Sequence, residues 1–152
     1  MIFVVAGALL DGDVSSGDEP GRVRPDLSRP GRTGQSRDRR VLIAERPAGK
    51  HMAGRWEFPG GKVVAGETES AALIRELQEE LGVSVTACRP FMRLSHEYPD
   101  RVVELSLWLV DSFTGEPVGL EGQGLKWVGL QELGQEDILE ADAPFVAALQ
   151  KL

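Results

Sequence analysis

The 152-residue chain has a single cysteine, Cys88. One thiol closes no intramolecular disulfide and supplies no cysteine metal cluster, which excludes a disulfide-stapled scaffold and fits a reducing cytoplasm. Cationic excess is also missing: 24 Asp and Glu outnumber 17 Lys and Arg, for a net charge of -7. An acidic surface repels the phosphate backbone of DNA or RNA, so no nucleic-acid polymer is expected as a partner. A small anionic nucleotide can still bind where a metal and a few local cations neutralise it. The apolar stretch at 2–10, IFVVAGALL, is too short to cross a bilayer and no basic run precedes it, so no targeting or membrane segment is expected. Internal repeats and low-complexity domains are lacking as well. With 41% hydrophobic and 27% charged residues, the composition is that of one ordinary soluble domain with a real core, expected to span 1–152 as a monomer.

At about 12–40 the composition changes to Gly, Pro, Ser, Asp and Arg, with only Val14, Val23 and Leu27 as sizeable apolar residues. Such a stretch buries too little surface to offset its ordering entropy, which predicts a long mobile loop. Its arginines alternate with acids, favouring a solvated loop over a phosphate clamp, while its length leaves a lid role open.

The most informative stretch is GKVVAGETESAALIRELQEELGV, Gly61 to Val83. The spacing predicts a helix from about Thr68 to Leu81, with Leu73, Ile74, Leu77 and Leu81 as a buried stripe. Thr68 is a good N-cap, Gly82 stands where helices often stop, and Gly60, Gly61 and Gly66 allow a tight loop ahead of it. Glu76, Glu79 and Glu80 then share one arc, where like charges repel by a few tenths of a kcal/mol per pair. Either that arc is a solvated acidic face, or it holds a hard divalent cation such as Mg²⁺ or Mn²⁺, which takes oxygen ligands.

These residues resemble the signature box of the Nudix hydrolase family: Gly, five residues, Glu, seven residues, Arg-Glu, an aliphatic residue, any residue, Glu-Glu, any residue, Gly, aliphatic. Here the positions are Gly61, Glu67, Arg75-Glu76, Leu77, Glu79-Glu80, Gly82 and Val83, and every fixed position is filled. The preceding RPAGKHMAGRWEFPGGK, Arg46 to Lys62, is similar to the same segment in the MutT branch, which cleaves nucleoside triphosphates. The likeness covers most of the chain except about 12–40, where most relatives have a short turn.

The resemblance implies a metal-dependent nucleoside triphosphate pyrophosphohydrolase yielding monophosphate and pyrophosphate. The 8-oxo-dGTP diphosphatases are the favoured comparison, and a CTP or dCTP pyrophosphohydrolase is the alternative. A non-catalytic nucleotide-sensing module is the reading from another class; loss of the helix glutamates would signal it, and none is lost. By the same resemblance Glu76, Glu79 and Glu80 hold Mg²⁺, with Mn²⁺ a substitute. Glu121, in a facing glycine-rich loop, is a further ligand or the general base. Glu67 and Arg75 pair to pin the loop to the helix, and Gly61 and Gly82 complete that frame. Arg46 and His51 lie on the substrate side, and Glu57 and Phe58 lead into the pocket. Arg101 and Asp142 are further pocket candidates, and for Asp142 a plain N-cap role stays open.

Other strands are expected at 2–10 and Val41 to Glu45, as a hairpin from Thr86 to Phe113 turning at Pro99-Asp100, and at Leu125 to Leu130. In the hairpin Val103, Leu105, Leu107 and Leu109 alternate with Glu104, Ser106 and Trp108, the pattern of a half-buried strand. A short helix, Ala143 to Leu152, is read with Asp142 as N-cap and Pro144 in its first turn. The fold class is therefore α/β, and the resemblance implies a Nudix α/β/α sandwich: a mixed sheet, one catalytic loop-helix and a short C-terminal helix.

Overall fold

The computed structural model describes residues 1–11, 39–49 and 52–152. The insertion expected at about 12–40 thus lies outside the described residues except for Arg39 and Arg40.

The apolar run near the start forms β1 (Ile2–Asp11), the axis of the sheet. Along one edge β6 (Arg101–Thr114) runs parallel to it, pairing Ile2 with Val103 through Leu9 with Val110. The other edge is shared, by β4 (Gly60–Lys62) against Val4 to Ala6 and by β2 (Arg40–Glu45) against Leu10 and Asp11. β2 also carries β3 (Trp56–Glu57) and β7 (Leu125–Gly129), and β5 (Ser84–Tyr98) closes the far side against β6. A seven-stranded mixed sheet results. Arg40, read from sequence as insertion, is the first residue of β2, because it pairs with both Asp11 and Gly129.

Alternation along β1 divides the core. Val5 and Leu9 face α1 (Glu69–Leu81), while Ala6, Ala8 and Leu10 face α2 (Ala143–Leu149) with its Phe145, Val146 and Leu149. Helices on both faces make the α/β/α sandwich. Leu73, Leu77 and Leu81 of α1 are fully buried, each contributing about 1.5–3 kcal/mol, far more than the few tenths lost per like-charge pair on the acidic arc. Thr68 Oγ1 accepts the Ala71 N–H at 3.1 Å, and Gly82, at φ 73°, ends the helix in the left-handed region.

Three expectations need correction. Ile74 is exposed rather than part of the stripe; it lies about 100° round from Leu73, past the edge of the contact, and Ala72 fills the buried arc instead. β6 is not half-buried: Ser106 is only 6% exposed because α1 covers the face opposite the leucines. The last helix ends at Leu149, not Leu152, and the Asp142 side chain makes no cap bond to it. Among the described residues no helix is long and apolar enough to cross a membrane.

Ser106 belongs to the device that sets the pitch of α1 on the sheet. Glu69, in the first turn, accepts hydrogen bonds from Ser106 Oγ at 2.8 Å, Trp108 Nε1 at 3.2 Å and Arg93 Nη2 at 2.6 Å. Burial works against the ionised Glu69, but these donors outweigh it and hold its pKa below the usual 4.5. Glu69→Ala is expected to cost about 2–3 kcal/mol, by stranding these donors, and so to lower the Tm by roughly 5–10 °C. A group with a depressed folded pKa stabilises above its unfolded value, and that contribution is lost as the pH falls through the folded one. The Tm gap between wild type and variant should therefore close in acid; calorimetry from pH 7 to pH 3 checks both points.

Candidate active site

The approach to α1 is built on close backbone contact. A Cβ on Gly60 would lie 2.0 Å from the Val5 carbonyl oxygen, and one on Gly61 would lie 2.3 Å from the Glu76 carboxyl carbon. Any larger residue at Gly61 would push Glu76 out of place. Across the loop, Arg75 grips Glu67 with both arms of its fork, Nε to Oε2 at 2.7 Å and Nη2 to Oε1 at 3.0 Å. Its Nη2 also donates to the Lys62 carbonyl at 3.1 Å, and Glu67 Oε1 accepts the Val64 N–H. The Arg75 bond holds the Glu67 carboxyl below its usual range, and the same pairing raises the guanidinium pKa further. Loop and helix are thereby locked through a bidentate pair.

The three helix glutamates differ in surroundings. Glu79 is exposed and Glu76 mostly buried, and Arg75 Nη1 reaches both, at 3.3 and 3.0 Å. Glu80 turns inward, where among the described residues no such hydrogen-bonded cation answers it. Burial, then the neighbouring Glu76, Glu121 and Glu57 carboxylates, push its pKa up to about 8. Glu121 stands on the exposed loop that follows β6. Among the described residues no three His, Cys, Asp or Glu side chains already converge on one point. Glu76 already stands within hydrogen-bonding reach of Glu80 while Arg75 also holds it, and Glu79 is engaged by Arg75 alone, so a shared ion would need Glu79 to turn toward the Glu76–Glu80 pair.

Beyond Glu80 the line of groups continues to Asp142. Glu57 acts electrostatically on both acids and accepts a hydrogen bond from Arg46 Nη1 at 2.9 Å. Asp142 is nearly fully buried. Burial and the Glu57 charge raise its pKa to about 7, opposed by the Phe58 N–H and by Arg46. Phe58 itself is buried in the core on the α2 side. Glu80, Glu57, Arg46 and Asp142, with the Phe58 backbone N–H, are thus linked in one row of interacting groups.

Arg101 is not part of that row. It is exposed at the hairpin turn, with its guanidinium over the Tyr98 ring at 5.0 Å and 3.7 Å from Asp100. His51, expected on the substrate side, lies outside the described residues. The central place of Glu57 was only implied from sequence, as a residue leading to a pocket. Gln123, which carries no charge and shows no periodicity in the sequence, donates from Nε2 to the Glu80 carbonyl at 3.3 Å and accepts the Glu121 N–H at Oε1, contacts that exist only once the loop folds back on the helix. A cavity of about 470 Å³ lined by Leu10, Asp11, Arg40, Asp111, Phe113, Glu116 and Trp127, among others, contains none of these groups.

An acidic loop-helix laid on a mixed sheet, with Glu57 linking its Glu80 to the buried Asp142, is the arrangement of a hydrolase of phosphoanhydrides. The chain belongs to the Nudix family, among its MutT-like hydrolases: a family profile described as NUDIX domain matches residues 34–148. It is 44% identical over 112 residues to the 8-oxo-dGTP diphosphatase of Escherichia coli (strain K12), covering 74% of this chain and 87% of that protein. It is 39% identical over 116 residues to the CTP pyrophosphohydrolase of the same organism, covering 76% and 86%. A solved MutT structure, from work on the Aliivibrio salmonicida and Vibrio cholerae proteins, superposes with a TM-score of 0.73 at 32% identity, covering 99% of this chain and 97% of that one.

Hydrolases of this family use a divalent metal. The residues present fit one. Glu80 is an inward carboxylate surrounded by carboxylates, and a divalent cation bound by oxygen ligands relieves that repulsion directly.

Proposed function

We propose that this enzyme is a Mg²⁺-dependent nucleoside triphosphate pyrophosphohydrolase that takes 8-oxo-dGTP and releases the monophosphate and pyrophosphate. It acts as a single Nudix domain, a cytoplasmic monomer whose partner is a small nucleotide. The observation that carries this reading is the row from Glu80 through Glu57 to Asp142, an acidic end suited to metal-bound phosphates joined to a buried end suited to a base.

In this reading Glu76, Glu79, Glu80 and Glu121 hold the cation. When bound, it neutralises phosphate oxygens and orients the attacking water. Arg75 and Glu67 keep the helix and loop in register, which is what in-line attack demands of geometry. Arg46, held by Glu57, presents a cation toward the base end, where it acts on Asp142. Asp142, with a pKa of about 7, is present at neutral pH in both forms. Its protonated form donates and accepts, as an amide does, whereas the ionised form only accepts.

The E. coli 8-oxo-dGTP diphosphatase supports the oxidised guanine, and the E. coli CTP pyrophosphohydrolase, similar over almost the same length, supports cytosine as the second reading. The test is pyrophosphate release from 8-oxo-dGTP, dGTP, dCTP and CTP, with Mg²⁺ and with chelator. The highest kcat/KM is expected for 8-oxo-dGTP. A preference for dCTP or CTP would transfer the assignment to the second reading, and turnover undiminished by EDTA would remove the metal-dependent mechanism.

A further inference from the structure

The loop after β6 does more than carry Glu121 past the helix. The C-terminal turn of α1 contains no basic residue, so its terminal carbonyls need other donors. The loop supplies them: Val118 N–H donates to the Leu81 carbonyl at 3.0 Å, and Leu120 N–H to the Glu80 carbonyl at 3.0 Å. Gln123 Nε2 donates to that same Glu80 carbonyl at 3.3 Å, and its Oε1 accepts the Glu121 N–H at 2.8 Å. One side chain therefore ties the backbone of Glu121 to the backbone of Glu80.

The segment that holds this strut is tightly closed. Gly122 N–H donates to the Gly119 carbonyl at 3.0 Å, and a Cβ on Gly119 would lie 2.1 Å from the Gln123 carbonyl oxygen. The turn brings Gln123 back under Glu121, and no side chain at position 119 fits inside it. Glu121 itself is exposed and has a glycine on its C-terminal side, so outside this frame its carboxylate would keep a wide range of positions.

We propose that Gln123 is a positioning residue: it fixes Glu121 opposite Glu80, so that both carboxylates meet the same divalent cation. The inference rests on the metal-dependent reading above and adds to it a residue that touches neither cation nor substrate. Without the amide, Glu121 must be ordered at the moment of binding, and the cost falls on metal affinity more than on turnover at saturating metal.

The test combines Mn²⁺ binding, followed by loss of the free-ion EPR signal, with Mg²⁺ activation of pyrophosphate release and thermal melting. Gln123→Met keeps the length of the side chain and removes its polar groups. It is expected to weaken Mn²⁺ binding by about 10-fold, the scale of a lost hydrogen bond, and to raise the half-activating Mg²⁺ concentration by a similar factor. Turnover at saturating Mg²⁺ should stay within about threefold of wild type. In a Glu121→Ala background the same substitution should change Mn²⁺ affinity by less than about twofold, since the two residues act as a unit. Gln123→Asn, which keeps the amide but is one methylene short of spanning both contacts, should weaken Mn²⁺ binding as well and serves if the Met variant melts early.

Unchanged Mn²⁺ affinity in folded Gln123 variants, or equal losses with and without Glu121, would overturn the proposal. So would an unaltered Mn²⁺ affinity in Glu121→Ala alone. If the wild type binds Mn²⁺ but releases no pyrophosphate from any nucleotide, the proposed function fails, and the Mn²⁺ titrations still judge Gln123.

Discussion

Glu80→Gln is expected to reduce turnover by at least about a thousandfold while leaving the protein folded with an equal or higher Tm. Divalent-ion stabilisation of a phosphoryl transition state is worth several kcal/mol, at 1.36 kcal/mol for each factor of ten. The substitution removes the ionisable group at nearly constant shape. In the metal-free fold burial and the Glu76, Glu121 and Glu57 carboxylates hold Glu80 largely protonated at pH 7, with a pKa of about 8, a cost absent from the unfolded chain and from the Gln variant. Activity and stability should thus move in opposite directions, which separates loss of the cation site from loss of the fold. Steady-state pyrophosphate release and a thermal melt on the same preparation measure both. A Gln variant retaining a tenth or more of wild-type turnover at saturating Mg²⁺ would remove Glu80 from the metal site; the tenth corresponds to about 1.4 kcal/mol, too little for a lost ligand.

Asp142→Ala is expected to lower kcat/KM for the preferred base by about 10- to 100-fold, the scale of one or two buried hydrogen bonds. A uniform loss over 8-oxo-dGTP, dGTP, dCTP and CTP would leave Asp142 a structural group at the start of α2. The pH dependence carries a sharper sign. Ionised, the carboxylate accepts from the two N–H groups on the Watson–Crick edge of guanine but from only the exocyclic amine of cytosine. Protonated, it pairs with either edge, one bond given and one taken. The ratio of guanine to cytosine kcat/KM should therefore rise as the pH passes through about 7, and Asp142→Asn should flatten it. Stability gives an independent reading. An acid whose folded pKa, about 7, exceeds its ordinary 3.8 favours folding below the lower value, and that contribution is lost as the pH rises through the upper one. Denaturant unfolding between pH 4 and pH 8 should show wild type losing stability relative to Asp142→Asn, with the full difference reached above pH 7.

What the chain determined by itself was whatever is local or periodic. Thr68, the leucines at 73, 77 and 81 and Gly82 delimit α1 through capping and spacing, forces that act within a few residues. The pairing of Tyr98 with Arg101 follows from the Pro99-Asp100 turn in the same way. The spacing of Glu67, Arg75, Glu76, Glu79 and Glu80 made the family legible, because each of them serves one loop-helix unit. Tertiary structure decided what depends on groups distant in sequence. Ser106 reads as a solvent-facing residue until α1 covers it and Glu69 accepts its hydroxyl. Asp142 reads as a helix cap until burial and Glu57 raise its pKa, and Arg101 lies at the hairpin turn, away from the row that Asp142 joins. Gln123 has no signature at all, since its two bonds span the gap between a loop and the end of a helix more than forty residues earlier. Burial and long-range hydrogen bonds are properties of the packed sheet and its two covering layers. No window of sequence contains both partners, so the division of labour among these carboxylates emerges only when the layers close.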